Sequence, residues 1–205
     1  MLWLVAEHNL YNFMDGIDAI AGSEGLLVAA LICGLSVTLA PVLTPLSAAV
    51  AGGALGFLFL NRPPARIFMG DAGGHFLGLT LGAFAIIGEG HGIPFVVTGL
   101  FLGAFLYDSV YTIFRRLARR ENITLAHRSH LYQRLNIMGW SHLHVDLAFA
   151  ATTLLLGASG YLVAFGYSSA GIALGCLTIV AMVGATVWIE KRWRDHEERR
   201  ATGDG

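Results

Sequence analysis

Residues 147–189, LAFAATTLLLGASGYLVAFGYSSAGIALGCLTIVAMVGATVWI, decide the fold class of this 205-residue chain. The stretch holds two apolar segments, 147–165 and 170–189, each close to the roughly 17–25 residues that a helix needs to cross a bilayer. Similar segments precede them at 26–40, 45–60, 76–88 and 94–114. The sequence therefore predicts an all-α fold, a polytopic transmembrane helix bundle of about six spans.

The composition favours lipid as the solvent for most of this chain. Hydrophobic residues make up 55% of it and charged residues only 13%, whereas a soluble domain is about a quarter charged. A soluble binding module is thereby excluded. The net charge of −1 gives no reason to expect a nucleic-acid partner.

The basic residues predict how the chain is oriented in the membrane. All thirteen Lys and Arg residues fall at Arg62 and Arg66, within 115–134 and within 191–200. If the chain crosses the membrane six times, all three basic regions lie on one side. The connectors on the other side contain no Lys or Arg. By the positive-inside rule we expect the first side to be cytoplasmic in a bacterial inner membrane.

Two units of unequal size are expected along the chain. Residues 1–190 form the membrane-embedded part, and residues 191–205 form a polar cytoplasmic tail. Within the spans, small residues recur at Gly52, Gly53 and Gly56, and again at Gly78 and Gly82. Small residues let helices approach closely in lipid, so we expect both sets to pack against other helices.

The first polar cluster precedes the first span. Asp15 and Asp18 are three residues apart, and Asn9 and Asn12 repeat that spacing. On a helix these side chains would share one face. Two neighbouring carboxylates repel each other unless a proton or cation lies between them, and Mg²⁺ commonly binds one or two carboxylates together with substrate phosphates. A helix cap is the alternative function of this cluster.

The second cluster lies between the second and third spans, where two prolines end the preceding helix. Asp71 follows Gly70 and is followed by Gly73 and Gly74. Glycine backbone can approach a ligand closely. Asp71 is therefore a candidate metal ligand, with a capped loop as the alternative.

The third cluster lies in the long connector 115–146. Arg128, His142 and His144 stand among serine, tyrosine and glutamine there. Arginine and histidine can both donate hydrogen bonds to phosphate oxygens, so this connector is a candidate phosphate-binding segment. Asp108, near the end of the fourth span, is either functional or the partner of a structural ion pair with Arg115.

Together these segments resemble the polyprenyl-phosphate N-acetylhexosamine-1-phosphate transferases (glycosyltransferase family 4). Their motif sequences look most similar to the O-antigen-initiating branch. The similar stretches are NLYNFMDGIDAIAG at 9–22, NRPPARIFMGDAGGHFLG at 61–78, YDSVYTIFRRL at 107–117, AHRSHLYQRL at 126–135 and SHLHV at 141–145. The resemblance covers nearly the whole chain up to about Ile189.

The resemblance implies roles for particular residues. The implied catalytic residues are Asp15, Asp18, His142 and His144. Substrate binding is implied for Asn12, Asn61, Phe68 and Arg128, with Asn61 and Phe68 contacting the uracil and Arg128 contacting phosphate. Asp71 is the implied ligand of Mg²⁺, for which Mn²⁺ is an alternative.

The resemblance also implies the reaction and the partners. A hexosamine 1-phosphate would pass from a UDP-sugar to undecaprenyl phosphate in the lipid bilayer, releasing UMP and initiating an O-antigen-like surface polysaccharide. The first lipid step of peptidoglycan synthesis is the second candidate pathway. A homodimer is compatible with the sequence.

Some features depart from the family pattern. The family has about ten or more spans and an adjacent Asp-Asp motif in its N-terminal half, whereas this sequence has about six spans and no adjacent Asp-Asp. The chain is therefore expected to correspond to the C-terminal portion of such an enzyme. An inactive remnant, a subunit that needs a second chain and a membrane transporter remain alternatives. Ala19 stands where glycine is common in the family.

Overall fold

All regular secondary structure in the described residues, 1–122 and 128–202 of the computed structural model, is helical. The α-helices are α1 (Leu2–Phe13), α2 (Ile20–Leu39), α3 (Thr44–Asn61), α4 (Gly70–Glu89), α5 (Phe95–Phe101), α6 (Gly103–Ala118), α7 (Leu131–Ile137), α8 (His142–Ala164) and α9 (Ser168–Thr202). A short 3₁₀ helix, η1 (Pro41–Leu43), precedes α3. The predicted all-α class is confirmed.

Five helical segments of the described chain are long and apolar enough to cross a bilayer, and a bent pair of helices provides a sixth. The five are α2, η1 with α3, α4, α8 and α9. Helix α2 lies at the centre of the bundle, with Val28, Ile32 and Leu35 fully buried. Helices α3 and α9 leave most of their apolar side chains exposed, as helices that face lipid do.

The fourth predicted span is broken, although the sequence predicts one continuous segment over 94–114. It consists of α5 and α6, which meet at Leu102 with a bend of 79°. A side chain at Gly103 would lie only 2.7 Å from Leu156 of α8, so close helix packing coincides with the bend. Phe101 and Leu102 are fully buried, which shields the broken backbone from lipid.

The two sets of small residues have different surroundings. A Cβ atom at Gly78 would lie 2.9 Å from the Glu7 carbonyl oxygen, because α1 packs closely against α4. Trp3 strengthens this contact by donating a 2.9 Å hydrogen bond to the Gly82 carbonyl. The predicted packing is therefore present at α4. In contrast, apart from the adjacent backbone of α3 itself, no described atom lies within 4 Å of a Cβ built at Gly52, Gly53 or Gly56.

The connectors separate to the two ends of the bundle as the threading of spans predicts. At one end, residues 14–19 contact the α3–α4 connector and the start of α8 through Asp18. At the other end, Ile93 of the α4–α5 connector packs with Leu43 of η1 in the core. The polar clusters thus share one end, and α9 continues past its apolar segment to Thr202 at that same end.

Packing between α1 and α4 can be tested with a matched pair of glycine substitutions. We expect Gly78→Ala to destabilise the protein by about 1–3 kcal/mol, because the new methyl group meets backbone atoms of α1. Gly53→Ala should be neutral or should stabilise by up to about 1 kcal/mol, because alanine favours helix and the position is open. Unfolding in detergent micelles measures both changes. Equal effects of the two substitutions would contradict the packing described here.

Candidate active site

Three segments that are distant in the sequence meet at the polar end of the bundle. Asp18, in the turn between α1 and α2, accepts a 3.1 Å hydrogen bond from the Ala65 backbone N–H. Its backbone N–H donates a 3.3 Å hydrogen bond to Nδ1 of His142, 124 residues further along the chain, and its carboxylate lies at the same distance from that atom. The three predicted polar clusters therefore contribute to one site.

A cavity of about 240 Å³ occupies this junction. Five residues predicted from the sequence line it: Asp15, Asp18, Asn61, Phe68 and His142. The backbone of Gly70, at the start of α4, closes another part of its wall. The cavity is thus bounded by the ends of helices, where polar groups are accessible.

Asn61 holds two walls of the cavity together. Its side chain is 5% exposed. The Oδ1 atom accepts a 2.9 Å hydrogen bond from the Ala19 N–H, and the Nδ2 group donates a 2.8 Å hydrogen bond to the Ile67 carbonyl. The amide therefore joins the α1–α2 turn to the α3–α4 connector by satisfying backbone groups on both.

Asp15, which lines the cavity, interacts with Asp71, which does not line it. Burial, and secondarily the Asp71 carboxylate, raises the pKa of Asp15 to about 6. Asp71 is exposed in the first turn of α4, and Asn12 donates a 3.3 Å hydrogen bond to it. Negative charge that is concentrated in this way attracts a cation.

The donor set is compatible with a magnesium ion. Among the described residues, no group of three or more His, Cys, Asp or Glu side chains is arranged to hold a metal. Mg²⁺ does not need such a cage, because it commonly uses one or two carboxylates and completes its shell with water and substrate phosphate. Asp71 and Asp15, whose carboxylates repel each other, fit that requirement.

Phe68 presents its ring to the solvent beside the cavity. The residue is 79% exposed and lies in the connector that Asn61 and Asp18 anchor. An exposed aromatic ring on an anchored backbone segment is suited to stacking on a planar ligand.

The two predicted histidines are not together. His142 lies at the start of α8 and lines the cavity. His144 is exposed and points elsewhere, with its Nδ1 atom 2.7 Å from the Ser141 hydroxyl. Ser141 also caps α8 by accepting a hydrogen bond from the His144 N–H. Since residues two apart on a helix point in different directions, only one histidine reaches the site.

Arg128 is exposed and does not line the cavity. It lies near Tyr132, whose pKa is raised by burial and by Asp108 and is lowered by Arg128. The Tyr132 hydroxyl donates a hydrogen bond to the Phe13 carbonyl and packs so closely on Gly16 that a side chain would clash there. Sequence reasoning missed this contact, although it fixes the turn that carries Asp15. His127 lies outside the described residues.

Asp108 has a structural function that differs from the predicted ion pair. Its carboxylate is 1% exposed and accepts hydrogen bonds from the backbone N–H groups of Leu131 and Tyr132 at 2.9 and 3.1 Å. It also lies 3.2 Å from Nδ1 of His130. Asp108 therefore anchors the start of α7, while Arg115 approaches Glu190 of α9 instead.

A strained residue lies in the turn that forms the site. Ala19 has φ = 72° and ψ = −31°, values that residues with a Cβ atom rarely adopt. Its N–H is held by Asn61. The positive φ makes this position favourable for glycine.

Comparison of the sequence with known proteins identifies its family. The sequence profile described as "Glycosyl transferase family 4" matches residues 1–89, and curated relatives extend the similarity over most of the chain. The chain belongs to this family, as its motifs predict, and is an integral membrane protein.

Three relatives illustrate the similarity. The "Probable undecaprenyl-phosphate N-acetylglucosaminyl 1-phosphate transferase" of Bacillus subtilis is 31% identical over 183 residues, which are 87% of this chain and 48% of the relative. The "Phospho-N-acetylmuramoyl-pentapeptide-transferase" of Synechococcus elongatus is 37% identical over 78% of this chain and 44% of its own length. The protein of the same name in Acetivibrio thermocellus is 33% identical, with coverages of 78% and 48%. The chain thus spans about half the length of these relatives.

The strain at Ala19 predicts a stabilising substitution. We expect Ala19→Gly to raise the free energy of unfolding by roughly 0.5–1 kcal/mol, because glycine adopts positive φ at little cost. Thermal unfolding in micelles measures the change. The control Ala21→Gly, inside α2, should destabilise by about 1 kcal/mol, and a similar loss for Ala19→Gly would contradict the strained conformation.

The anchoring of α7 gives a second prediction. Asp108→Asn should destabilise the protein by roughly 2 kcal/mol, because an amide is a weaker acceptor and leaves buried N–H groups poorly paired. Glu197→Gln, at an exposed site on α9, is the control and should change the melting temperature little. Equal melting temperatures for the two variants would exclude the anchoring function.

Proposed function

We propose that this protein transfers an N-acetylhexosamine 1-phosphate from a UDP-sugar to a polyprenyl phosphate such as undecaprenyl phosphate. The observation that carries the proposal is the contact of Asp18 with both Ala65 and His142. It joins three polar segments around one cavity at the end of a membrane-embedded bundle.

In the proposed reaction, an oxygen of the lipid phosphate attacks the β-phosphorus of the UDP-sugar. A new phosphorus–oxygen bond forms while the bond to the bridging oxygen breaks, and UMP leaves with that electron pair. The product is a polyprenyl-diphospho-sugar. Such chemistry depends mainly on positioning and on neutralising charge.

The lining residues can supply both requirements. The Asp18 backbone N–H donates a 3.3 Å hydrogen bond to Nδ1 of His142, which leaves the Nε2–H group of the imidazole to donate to a non-bridging phosphate oxygen. Phe68 is available to stack on the uracil, while Asn61 fixes the segment that carries it. Arg128 does not line the cavity, and we propose that it contacts a phosphate oxygen of the bound substrate.

We propose Asp71, with Asp15 and Asn12 beside it, as the Mg²⁺-binding group, and Mn²⁺ as a substitute. Bound magnesium would offset the negative charge of the diphosphate. A divalent cation would also relieve the repulsion between Asp15 and Asp71, which adds to the effect of burial in raising the pKa of Asp15.

The position of the cavity supports a reaction at a membrane surface. A UDP-sugar is soluble in water, and a polyprenyl phosphate is held in lipid by its chain, so both reach a site at helix ends. We propose that this end faces the cytoplasm of a bacterial inner membrane, since the basic residues gather there. A transporter would instead place its polar groups near the bilayer midplane.

We further propose that the transferred sugar initiates a surface polysaccharide of the O-antigen type. The names of the relatives suggest two donor classes to compare, one carrying N-acetylglucosamine and the other N-acetylmuramoyl-pentapeptide. Incubating the reconstituted protein with each UDP-linked donor and undecaprenyl phosphate would distinguish a polysaccharide enzyme from a peptidoglycan enzyme.

The metal assignment predicts the effect of removing one carboxylate. In liposomes that contain undecaprenyl phosphate and Mg²⁺, we expect Asp71→Asn to lower the rate of UMP release at least about 100-fold, because charge neutralisation contributes several kcal/mol to such reactions. Glu198→Gln, on the exposed side of α9, should keep the unsubstituted rate.

Three outcomes would change the proposal in different ways. Near-normal UMP release by Asp71→Asn would refute the metal-binding role. If the 205-residue chain binds a UDP-sugar without releasing UMP, the subunit alternative is favoured. If it neither binds UDP-sugars nor releases UMP, the proposed function is wrong for this polypeptide.

A further inference from the structure

A second cavity lies apart from the candidate active site, between the α7–α8 connector and the polar part of α9. It has a volume of about 350 Å³, within the range of small-molecule sites. Helix α9 contributes Trp188, Arg192, Asp195 and Arg199 to its wall. The spacing of these residues puts them on one helix face, and Trp140 of the connector lies opposite them.

The charge of the cavity is positive. Arg192 and Arg199 line it together with a single carboxylate, Asp195. Neither arginine forms an ion pair with another residue in the described part of the chain. The Arg192 guanidinium lies over the Trp188 ring, 5.6 Å from its centroid, and a cation–π contact of this kind does not occupy the N–H donors.

The aromatic residues place this cavity at the membrane boundary. Trp188 lies at the end of the apolar part of α9, immediately before the charged residues. Its ring packs edge to face with Trp140 at 6.2 Å, and the two residues are 42% and 39% exposed. Tryptophan favours the headgroup level of a bilayer, where one part of the ring meets hydrocarbon and the other meets water.

The wall of the cavity is fixed by contacts on another side of α9. Glu190 lies 2.7 Å from the nearly buried guanidinium of Arg134 and accepts a 2.8 Å hydrogen bond from Tyr111. The same guanidinium stacks over Trp193 at 4.7 Å. Because these contacts hold α9 against α6 and α7, the arginines that line the cavity belong to an ordered helix.

We propose that this cavity binds the headgroup of an anionic phospholipid of the phosphatidylglycerol type. The phosphodiester accepts hydrogen bonds from Arg192 and Arg199, and Asp195 accepts a hydrogen bond from a headgroup hydroxyl. The two tryptophans pack against the glycerol backbone, from which the acyl chains enter the bilayer. The inference does not depend on the proposed transfer reaction.

The observations favour this occupant over others. A solvated charged face would not need two tryptophans packed together beside its arginines. A zwitterionic phosphatidylethanolamine would bring an ammonium group toward two guanidinium groups. A free phosphate ester would gain nothing from aromatic rings at the bilayer surface.

Lipid titration by native mass spectrometry tests the proposal with a matched pair of variants. R192Q/R199Q removes the two cations that line the cavity, and R194Q/R200Q removes two cations of the same exposed helix segment that do not line it. We expect phosphatidylglycerol to bind R192Q/R199Q about tenfold more weakly, because each arginine near an anionic headgroup contributes appreciably to binding. R194Q/R200Q should retain most of the affinity.

Three results would overturn the proposal. Equal weakening in both variants would mean that the general charge of α9 attracts the lipid. Equal affinity of the unsubstituted protein for phosphatidylglycerol and phosphatidylethanolamine would exclude recognition of an anionic headgroup. Displacement of the lipid by millimolar glycerol phosphate would identify a soluble ligand. Unchanged circular dichroism and melting temperature of both variants establish that any difference reflects binding.

Discussion

The structure depends on one constraint, which is that every backbone N–H and carbonyl group in lipid needs a hydrogen-bond partner within the protein. Lipid offers no partner for a free N–H or carbonyl group, so the chain crosses the bilayer as helices. Where a helix ends, side chains must form the hydrogen bonds that the helix no longer provides to the backbone. Asn61 satisfies backbone groups at Ala19 and Ile67, and Asp18 satisfies the N–H of Ala65.

The side chains that satisfy backbone hydrogen-bonding groups also form the candidate site. Asp18 stabilises the α3–α4 connector through its carboxylate, and its backbone N–H orients His142 by donating a hydrogen bond to Nδ1. Asp108 stabilises a backbone segment but orients no residue of the site, since it anchors α7 from a fully buried position. Loss of function in a variant of Asp18 or Asn61 therefore has to be separated from loss of structure before a chemical role is assigned.

Much of this arrangement could be predicted from the sequence because its signals are local. Apolar length identifies the spans, and counting spans places Asp15, Asp71 and His142 at one end. The break at Leu102 could not be predicted, because it coincides with a tertiary contact between Gly103 and Leu156 of another helix. The partners of Asp108 in and beside α7 lie 22–24 residues away in the chain and likewise have no local signal.

The different orientations of His142 and His144 have a local signal in the sequence. Ser141 is a favourable residue to cap a helix, and it does cap α8. A helix that begins at His142 turns His144 away from whatever His142 faces. The pair therefore could have been separated from the sequence, whereas the contact between Tyr132 and Gly16 depends on packing between distant segments.

The length of α9 has a mechanical consequence. Its 35 residues extend about 52 Å at 1.5 Å per residue, well beyond the roughly 30 Å hydrocarbon layer, and no joint separates the lipid-embedded part from the part in water. A thinner bilayer that makes the embedded part tilt would swing the outer part like a lever. Glu190 would then pull on Arg134, and the thickness of the membrane would be felt at the connector that leads to His142.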